Sequence, residues 1–245
     1  GLGLNGSGNI EPFTALNDLS TPIQANIVVT PNSLGCPGIS QSFTITVKPI
    51  PEMDSVVNFE YCHGEITDDI NLSVSNNVSN TNFTWSASNG NIGINAPNSG
   101  GFIPSFTAIN NTVAVLTSDI TVTPSSNGCQ GENRLFSISV TPIPSVNSLP
   151  DLSFCNNEAT GIIPINSPNI GTTISWSNSN TNIGLVESNG TGDVPSFVTL
   201  NETIAIENAV VSATPTLNSC EGQSTDFEIF INVIFLVLLI DNLLR

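Results

Sequence analysis

Thr214-Pro-Thr-Leu-Asn-Ser-Cys220-Glu-Gly222 is the third appearance of one pattern in this chain. Thr30-Pro-Asn-Ser-Leu-Gly-Cys36-Pro-Gly38 and Thr123-Pro-Ser-Ser-Asn-Gly-Cys129-Gln-Gly131 come before it. The three cysteines stand 93 and 91 residues apart, and a phenylalanine (Phe13, Phe106 or Phe197) lies 23 residues ahead of each. Self-similarity at one period of this size marks a repeat architecture, in which a small structural unit is copied along the chain.

Outward from these segments, the upstream halves repeat as well, but only twice. Phe59-Glu-Tyr-Cys62-His-Gly-Glu65 matches Leu152-Ser-Phe-Cys155-Asn-Asn-Glu158, and Thr84-Trp85-Ser86 matches Ser175-Trp176-Ser177. Asn91-Ile-Gly-Ile94 and Asn182-Ile-Gly-Leu185 follow each tryptophan at one offset. Gly3-Leu4-Asn5 is the counterpart of Gly93-Ile94-Asn95, so the chain is expected to open partway through a unit, just past its tryptophan. Lys48-Pro-Ile-Pro51 and Thr141-Pro-Ile-Pro144 read as short, extended, stiff joints. They divide the chain into a C-terminal half-module (1–50), complete modules (51–144 and 145–235) and an apolar tail (236–245), with neighbours expected end to end.

Inside a unit the apolar residues alternate. Phe43-Thr-Ile-Thr-Val47, Leu135-Phe-Ser-Ile-Ser-Val140 and Phe227-Glu-Ile-Phe-Ile-Asn-Val233 place them at every second position, the period of a strand with one packed and one wet face. Ile27-Val-Val-Thr30, Ile120-Thr-Val-Thr123 and Val210-Val-Ser-Ala213 read as the preceding strand, with the cysteine segment as the hairpin turn. The chain is therefore all-β. Each complete module holds about seven short strands, the number of an immunoglobulin-like sandwich, with Trp85 and Trp176 on the third. Trp85, Trp176, Phe13, Phe106 and Phe197 are assigned to the core.

Only 9% of residues are charged, and 20 acids against Lys48, Arg134 and Arg245 give a net charge of −17. Nucleic-acid binding needs cations to displace counterions from phosphates, and so does attraction to anionic membranes; both are excluded as partners. The apolar run Val233–Ile240 is shorter than the roughly 20 residues that cross a bilayer. Three roles for it stay open: a cap on the last module, a dock on another chain, or an altered reading frame.

Five cysteines become regular once the repeat is seen. Cys62 and Cys129, Cys155 and Cys220 fall two to a module, and Cys36 is left to pair outside the chain. With a single histidine, His63, and no Cys-x-x-Cys, this pattern reads as disulfides in an oxidising, extracellular compartment rather than as metal ligands. Pairing within each module would stabilise it by about 4 kcal/mol. A staple across the joint between modules is the open alternative. Glu65 with Asp68 and Asp69, and Glu187 with Asp193, are calcium candidates because several oxygens fall close in sequence; no other cofactor is expected. Asn71, Asn82 and Asn201 head glycosylation sequons of a kind that chance supplies in so Asn-rich a chain. His63 stands beside Cys62, but with Cys62 in a disulfide no Cys–His pair exists, so no enzyme activity is expected.

Taken together, Cys-x-x-Glu, Thr/Ser-Trp-Ser, Thr-Pro-x-x-x-Gly/Ser-Cys-x-Gly and Val-x-Pro-x-Pro resemble the PKD-like, immunoglobulin-like repeats of Bacteroidota surface proteins. Those include gliding-motility adhesins exported by type IX secretion. The resemblance runs to about residue 233 and implies a cell-surface or fibre role. It also makes Ser55, in Asp54-Ser55-Val56, a candidate O-glycosylation acceptor.

Three functions follow as expectations. The first is a structural stalk or fibre segment of an extracellular adhesin. The second is a filament subunit whose copies complete one another by strand addition. The third is a carbohydrate-binding module for surface polysaccharide. Partners are further copies of the chain or adjacent repeats.

Overall fold

The alternating segments form the strands. In the computed structural model, which describes residues 1–95 and 100–233, β1 (Ile23–Val29) pairs antiparallel with β4 (Gln41–Val47), placing Ala25 opposite Ile45 and Ile27 opposite Phe43. Two-residue strands β2 (Asn32–Ser33) and β3 (Cys36–Pro37) close the tip of this hairpin. The next stretch holds β5 (Phe59–Cys62), β6 (Ile70–Asn71), β7 (Asn82–Ala87), β8 (Phe102–Ile103), β9 (Leu116–Ser126), β10 (Cys129–Gln130) and β11 (Arg134–Thr141). Its main sheet runs β10-β9-β11-β5, with β7 also on β9. The last stretch holds β12 (Leu152–Cys155), β13 (Thr173–Asn178), β14 (Asn189–Thr191), β15 (Glu207–Leu217), β16 (Cys220–Glu221) and β17 (Thr225–Asn232). Its sheet runs β12-β17-β15-β13-β14, with β16 on β15.

Opposite each main sheet lies a thinner layer. It is made by β6 with β8 and the bridges Met53 to Val74 and Ile66 to Thr107 in one case, and by Ala159 to Val198 and Ile163 to Val194 in the other. The result is an all-β sandwich repeat. By its internal contacts the chain divides into two compact units, Gly1–Ala108 with Thr117–Ser139, and Ile109–Leu116 with Val140–Arg245. In the second unit Trp176, Phe197, Val211, Phe227, Ile229 and Ile231 belong to one buried cluster. Their counterparts Trp85, Phe106, Ile120, Phe136, Ile138 and Val140 are buried too. The core assignments of Trp85, Trp176, Phe106 and Phe197 agree with this burial. Trp85 and Trp176 sit on β7 and β13, antiparallel to β9 and β15 with Val122 and Ala213 opposite them.

Each repeated motif has a local physical cause. After both tryptophan strands a single 3₁₀ turn (Gly90–Ile92, Thr181–Ile183) is capped by an asparagine, Asn89 or Asn180, whose side chain accepts from the amide two residues on. The turn drives Ile92 and Ile183 into the interior. In the hairpins, the amides of Gly38, Gly131 and Gly222 donate to the carbonyls of Pro31, Pro124 and Pro215 at 2.8, 2.9 and 2.9 Å. The glycine of Cys-x-Gly is needed for space. A Cβ on Gly131 would lie 2.0 Å from the carbonyl oxygen of Pro51, and one on Gly222 only 1.9 Å from that of Pro144. The Pro-x-Pro joint is thus seated directly on the hairpin. Gly38 has no such neighbour; its nearest atom is Pro31 Cγ at 3.0 Å.

A third repeated device is an asparagine four residues after each phenylalanine. The Nδ2 of Asn17 donates to the carbonyls of Thr21 and Val47, that of Asn110 to Ala114 and Val140, and that of Asn201 to Ala205 and Ile231. Each pins a loop to the end of the long strand beside it. Buried as they are, Asn110 and Asn201 are structural rather than glycan acceptors. The apolar tail expected at 236–245, like most of the run from Val233 to Ile240, lies outside the described residues.

The glycine geometry predicts a contrast. Gly131→Ala and Gly222→Ala each force a backbone clash and are expected to destabilise by about 1–3 kcal/mol or more, the scale of overpacking. Gly38→Ala meets only a proline side chain and is expected to cost a few tenths, on the order of 0.5 kcal/mol. Chemical denaturation of the three variants measures the difference.

Candidate functional site

Cys62 and Cys155 open identical turns. The carboxylate of Glu65 accepts from the Cys62 amide at 2.9 Å, and that of Glu158 from the Cys155 amide at 2.7 Å. The repeated Cys-x-x-Glu is therefore a turn whose acid closes on the cysteine backbone, an arrangement that satisfies an otherwise exposed donor. The other cysteines, Cys36, Cys129 and Cys220, sit at the hairpin tips, directly across from Ser33, Ser126 and Leu217.

Strand direction separates the two kinds. β12 runs parallel to β17 with Leu152 opposite Ile229 and Cys155 opposite Asn232, at the C-terminal end of β17. Cys220 lies beyond the other end, across from Leu217, while Ile231 is opposite Glu207. The whole 11-residue β15 intervenes, a span of about 30 Å at roughly 3.3 Å per residue. A disulfide requires Cα atoms within about 7 Å. Cys155 and Cys220 therefore cannot bond within one sheet, and the long β9, also 11 residues, stands in the same way between the tip at Cys129 and the far end of its sheet. This corrects the expected pairings Cys62–Cys129 and Cys155–Cys220. In the structure Cys129 and Cys155 are free, as is Cys36, with Cys36 and Cys155 exposed, whereas Cys62 and Cys220 are each engaged in a disulfide. A non-reducing digest with mass mapping is expected to yield neither a Cys62–Cys129 nor a Cys155–Cys220 linked peptide.

The calcium candidates do not converge. Glu65 is occupied by the Cys62 amide, Asp69 accepts from the Ser105 amide at 2.7 Å, and Asp193 accepts from the Ile165 amide at 3.0 Å. Among the described residues no group of three or more His, Cys, Asp or Glu side chains is placed to hold a metal ion. Sequence proximity put these acids together, but each is turned to a separate backbone donor. Asp68 acts on Tyr61 instead. Burial raises the Tyr61 phenol above its ordinary 10.0, and the charges of Asp68 and then Glu65 raise it further. Tyr61 is the only tyrosine in the chain, so its ionisation can be followed by ultraviolet absorbance. The midpoint is expected above 10.0, lower in Asp68→Asn but still raised by burial. Because the folded state holds this proton more tightly, stability is unaffected below the ordinary value and declines as pH climbs through it.

The surface that stands out is apolar. On β1 and β4, positions that the register makes equivalent to core residues are open to solvent. Phe43 is 46% exposed, against 4% for Phe136 and 1% for Phe227. Val29 is 49% exposed, against 0% for Val122 and Ala213. Phe13, expected in the core, is 36% exposed, a correction with the same cause: among the described residues no strand lies across from it. A groove of about 190 Å³ runs over this face, lined by Phe13, Leu16, Ile23, Ala25, Ile45 and Val47 among others. The indoles of Trp85 and Trp176, by contrast, are buried, with Nε1 atoms that find no acceptor. Neither ring offers a platform for a sugar. The asparagine pins and this open face are what residue-by-residue reading missed, although the pins were legible as Asn17, Asn110 and Asn201 at one offset from Phe13, Phe106 and Phe197.

No family model matches the chain, and no curated protein does. Solved structures do. The chain is similar to Drosophila N-cadherin EC1-4 at 14% identity, covering 89% of this chain and 59% of that one, with a TM-score of 0.44. It is similar to human protocadherin-24 EC1-2 at 14% identity over 75% of this chain and 97% of that one, TM-score 0.43. It is also similar to Dpr2 Ig1-Ig2 in complex with DIP-Theta Ig1-Ig3, at 8% identity over 76% and 68%, TM-score 0.40. The chain thus spans a little over half of the N-cadherin fragment. Function has to come from the chain's own residues.

Proposed function

We propose that this chain is a non-catalytic structural segment, a stretch of stalk or fibre in an extracellular surface adhesin. Its parts are a half-module at 1–50, modules at 51–144 and 145–235, and the tail at 236–245. The observation that carries the reading is the in-register recurrence of purely structural devices. Buried tryptophan and phenylalanine, the asparagine pin, the acid-closed cysteine turn and the glycine under the proline joint return together, so what has been copied is a way of standing upright rather than a reacting group. The disulfide-bonded Cys62 and Cys220 support an oxidising, extracellular setting. The motif resemblance to type IX-exported Bacteroidota adhesins supplies the finer placement, and Ser55 is exposed as an O-glycan acceptor has to be. Further repeats or further copies are the partners.

Modules that carry tension should yield one at a time. Pulled by the ends in reducing buffer, the chain is expected to show two similar unfolding events, each releasing on the order of 300 Å for about 90 residues. One undivided event spanning both modules would overturn the reading.

A further inference from the structure

We infer that Asn127-Gly128 is a built-in modification site, where the asparagine converts without an enzyme to aspartate or isoaspartate, and that Lys48 promotes the conversion. The inference is independent of the stalk reading. It rests on one hairpin tip and on the side chain that touches it.

In an Asn-Gly pair the backbone nitrogen of the glycine can attack the Cγ of the asparagine, because no Cβ on the glycine stands in the way. Hydroxide takes the proton from the Gly128 amide. The nitrogen lone pair forms a bond to Cγ of Asn127, the Cγ–Nδ2 bond breaks, and ammonia leaves with a proton returned by water. Water then opens the succinimide at either carbonyl, breaking one C–N bond, to leave aspartate or isoaspartate. Water and hydroxide are the only co-reactants.

The sequence holds four such pairs, Asn5-Gly6, Asn89-Gly90, Asn127-Gly128 and Asn189-Gly190, and the fold treats them differently. Asn89 is committed as a cap, its Oδ1 accepting from the Asn91 amide at 3.0 Å. Gly190 lies in β14 opposite Trp176, between the ladder bonds from Gly192 to Ile174 and from Asn178 to Ser188, so its amide is a ladder donor. Asn5-Gly6 lies in the irregular stretch ahead of β1. Asn127 and Gly128 are both exposed, in the two-residue turn between β9 and β10, with φ of 50° and 83°. A Cβ on Gly128 would meet nothing within 4 Å, so base and water reach the amide freely.

Lys48 sets this pair apart. Its Nζ donates to the carbonyl oxygen of Asn127 at 2.7 Å. That oxygen belongs to the peptide bond whose nitrogen is the nucleophile. Once the Gly128 nitrogen loses its proton, amide resonance shares the negative charge with this oxygen, beside the ammonium. A charged donor holds that anion more strongly than it holds the neutral peptide. Neither other tip combines these parts: Leu34-Gly35 has no side-chain amide, and Asn218-Ser219 puts a side chain on the attacking residue. Lys48 also opens the Pro-Ile-Pro joint. A carboxylate at position 127 sets a negative charge near the lysine, and isoaspartate lengthens the main chain of the turn that seats β10 on β9. The joint therefore carries a chemistry that changes with age.

The test holds the folded full chain at mildly alkaline pH and follows each Asn-Gly peptide by mass spectrometry for replacement of NH2 by OH. Asn127 is expected to convert faster than Asn89 and Asn189. Lys48 is exposed, so it can be replaced with the fold intact. Lys48→Gln is expected to slow Asn127 by roughly two- to fivefold, the scale of an exposed charge contact, with Asn5 unchanged. Lys48→Arg keeps a cation on the carbonyl and is expected to preserve the rate. In urea, where the contact is lost, the difference between the parent chain and Lys48→Gln is expected to vanish. Conversion at Asn127 no faster than at Asn89 and Asn189 overturns the inference. So does an unchanged rate in Lys48→Gln, or a Lys48 effect that persists in urea, since the hydrogen bond would then not be its source.

Discussion

A strand pair with one apolar face has to have that face covered, and most of this chain follows from that constraint. Alternation along β9 and β11, or β15 and β17, produces a sheet that is half hydrocarbon; water rejects it until a second layer closes over it. The first half of each module supplies the layer and the tryptophan that fills it. Where that half is present, Phe136 and Phe227 vanish from the surface. On β1 and β4, over which no such layer is placed among the described residues, Phe43 stays 46% exposed. The three copies amount to an internal experiment in which only the covering layer differs.

Polar groups are handled with the same economy of place. Few charges are available, so backbone groups at turns are satisfied by Asn, Thr and Glu. Asn201 shows the arrangement: its amide nitrogen donates to two carbonyls, while its oxygen accepts from the amide and the hydroxyl of Thr203. All four of its hydrogen-bonding sites are used in a buried position, which is the condition for keeping an amide in an interior. The two tryptophan Nε1 atoms break that rule. Both copies break it at the same position, so the cost of an unmade hydrogen bond is accepted in each module to seat a large ring against Val122 or Ala213.

Strand positions, hairpin tips and the buried tryptophans were legible because period-2 alternation and turn residues are local signals. Phe13 was not, because register says which position a residue occupies, and burial depends on whether the other half of the sandwich is there. The cysteine pairing failed for a related reason. Counting residues between Cys155 and Cys220 measures a loop, whereas the parallel course of β12 on β17 sends the two to opposite ends of the sheet. Glu65 and Asp69, and separately Asp193, looked like ligands because each has another acid close by in sequence, yet each is committed to a different backbone amide. The asparagine pins were hidden by abundance rather than by physics.

The placement of cysteines gives each module a direction. Cys62 and Cys155 mark the end where the first strand finishes; Cys36, Cys129 and Cys220 mark the hairpin tip, with a long strand between the two ends. A thiol of either class is out of reach of the other class in its own sheet, so any disulfide it forms has to leave that sheet. The same geometry that keeps the two classes apart leaves Cys129 at one end and Cys155 at the other as free thiols.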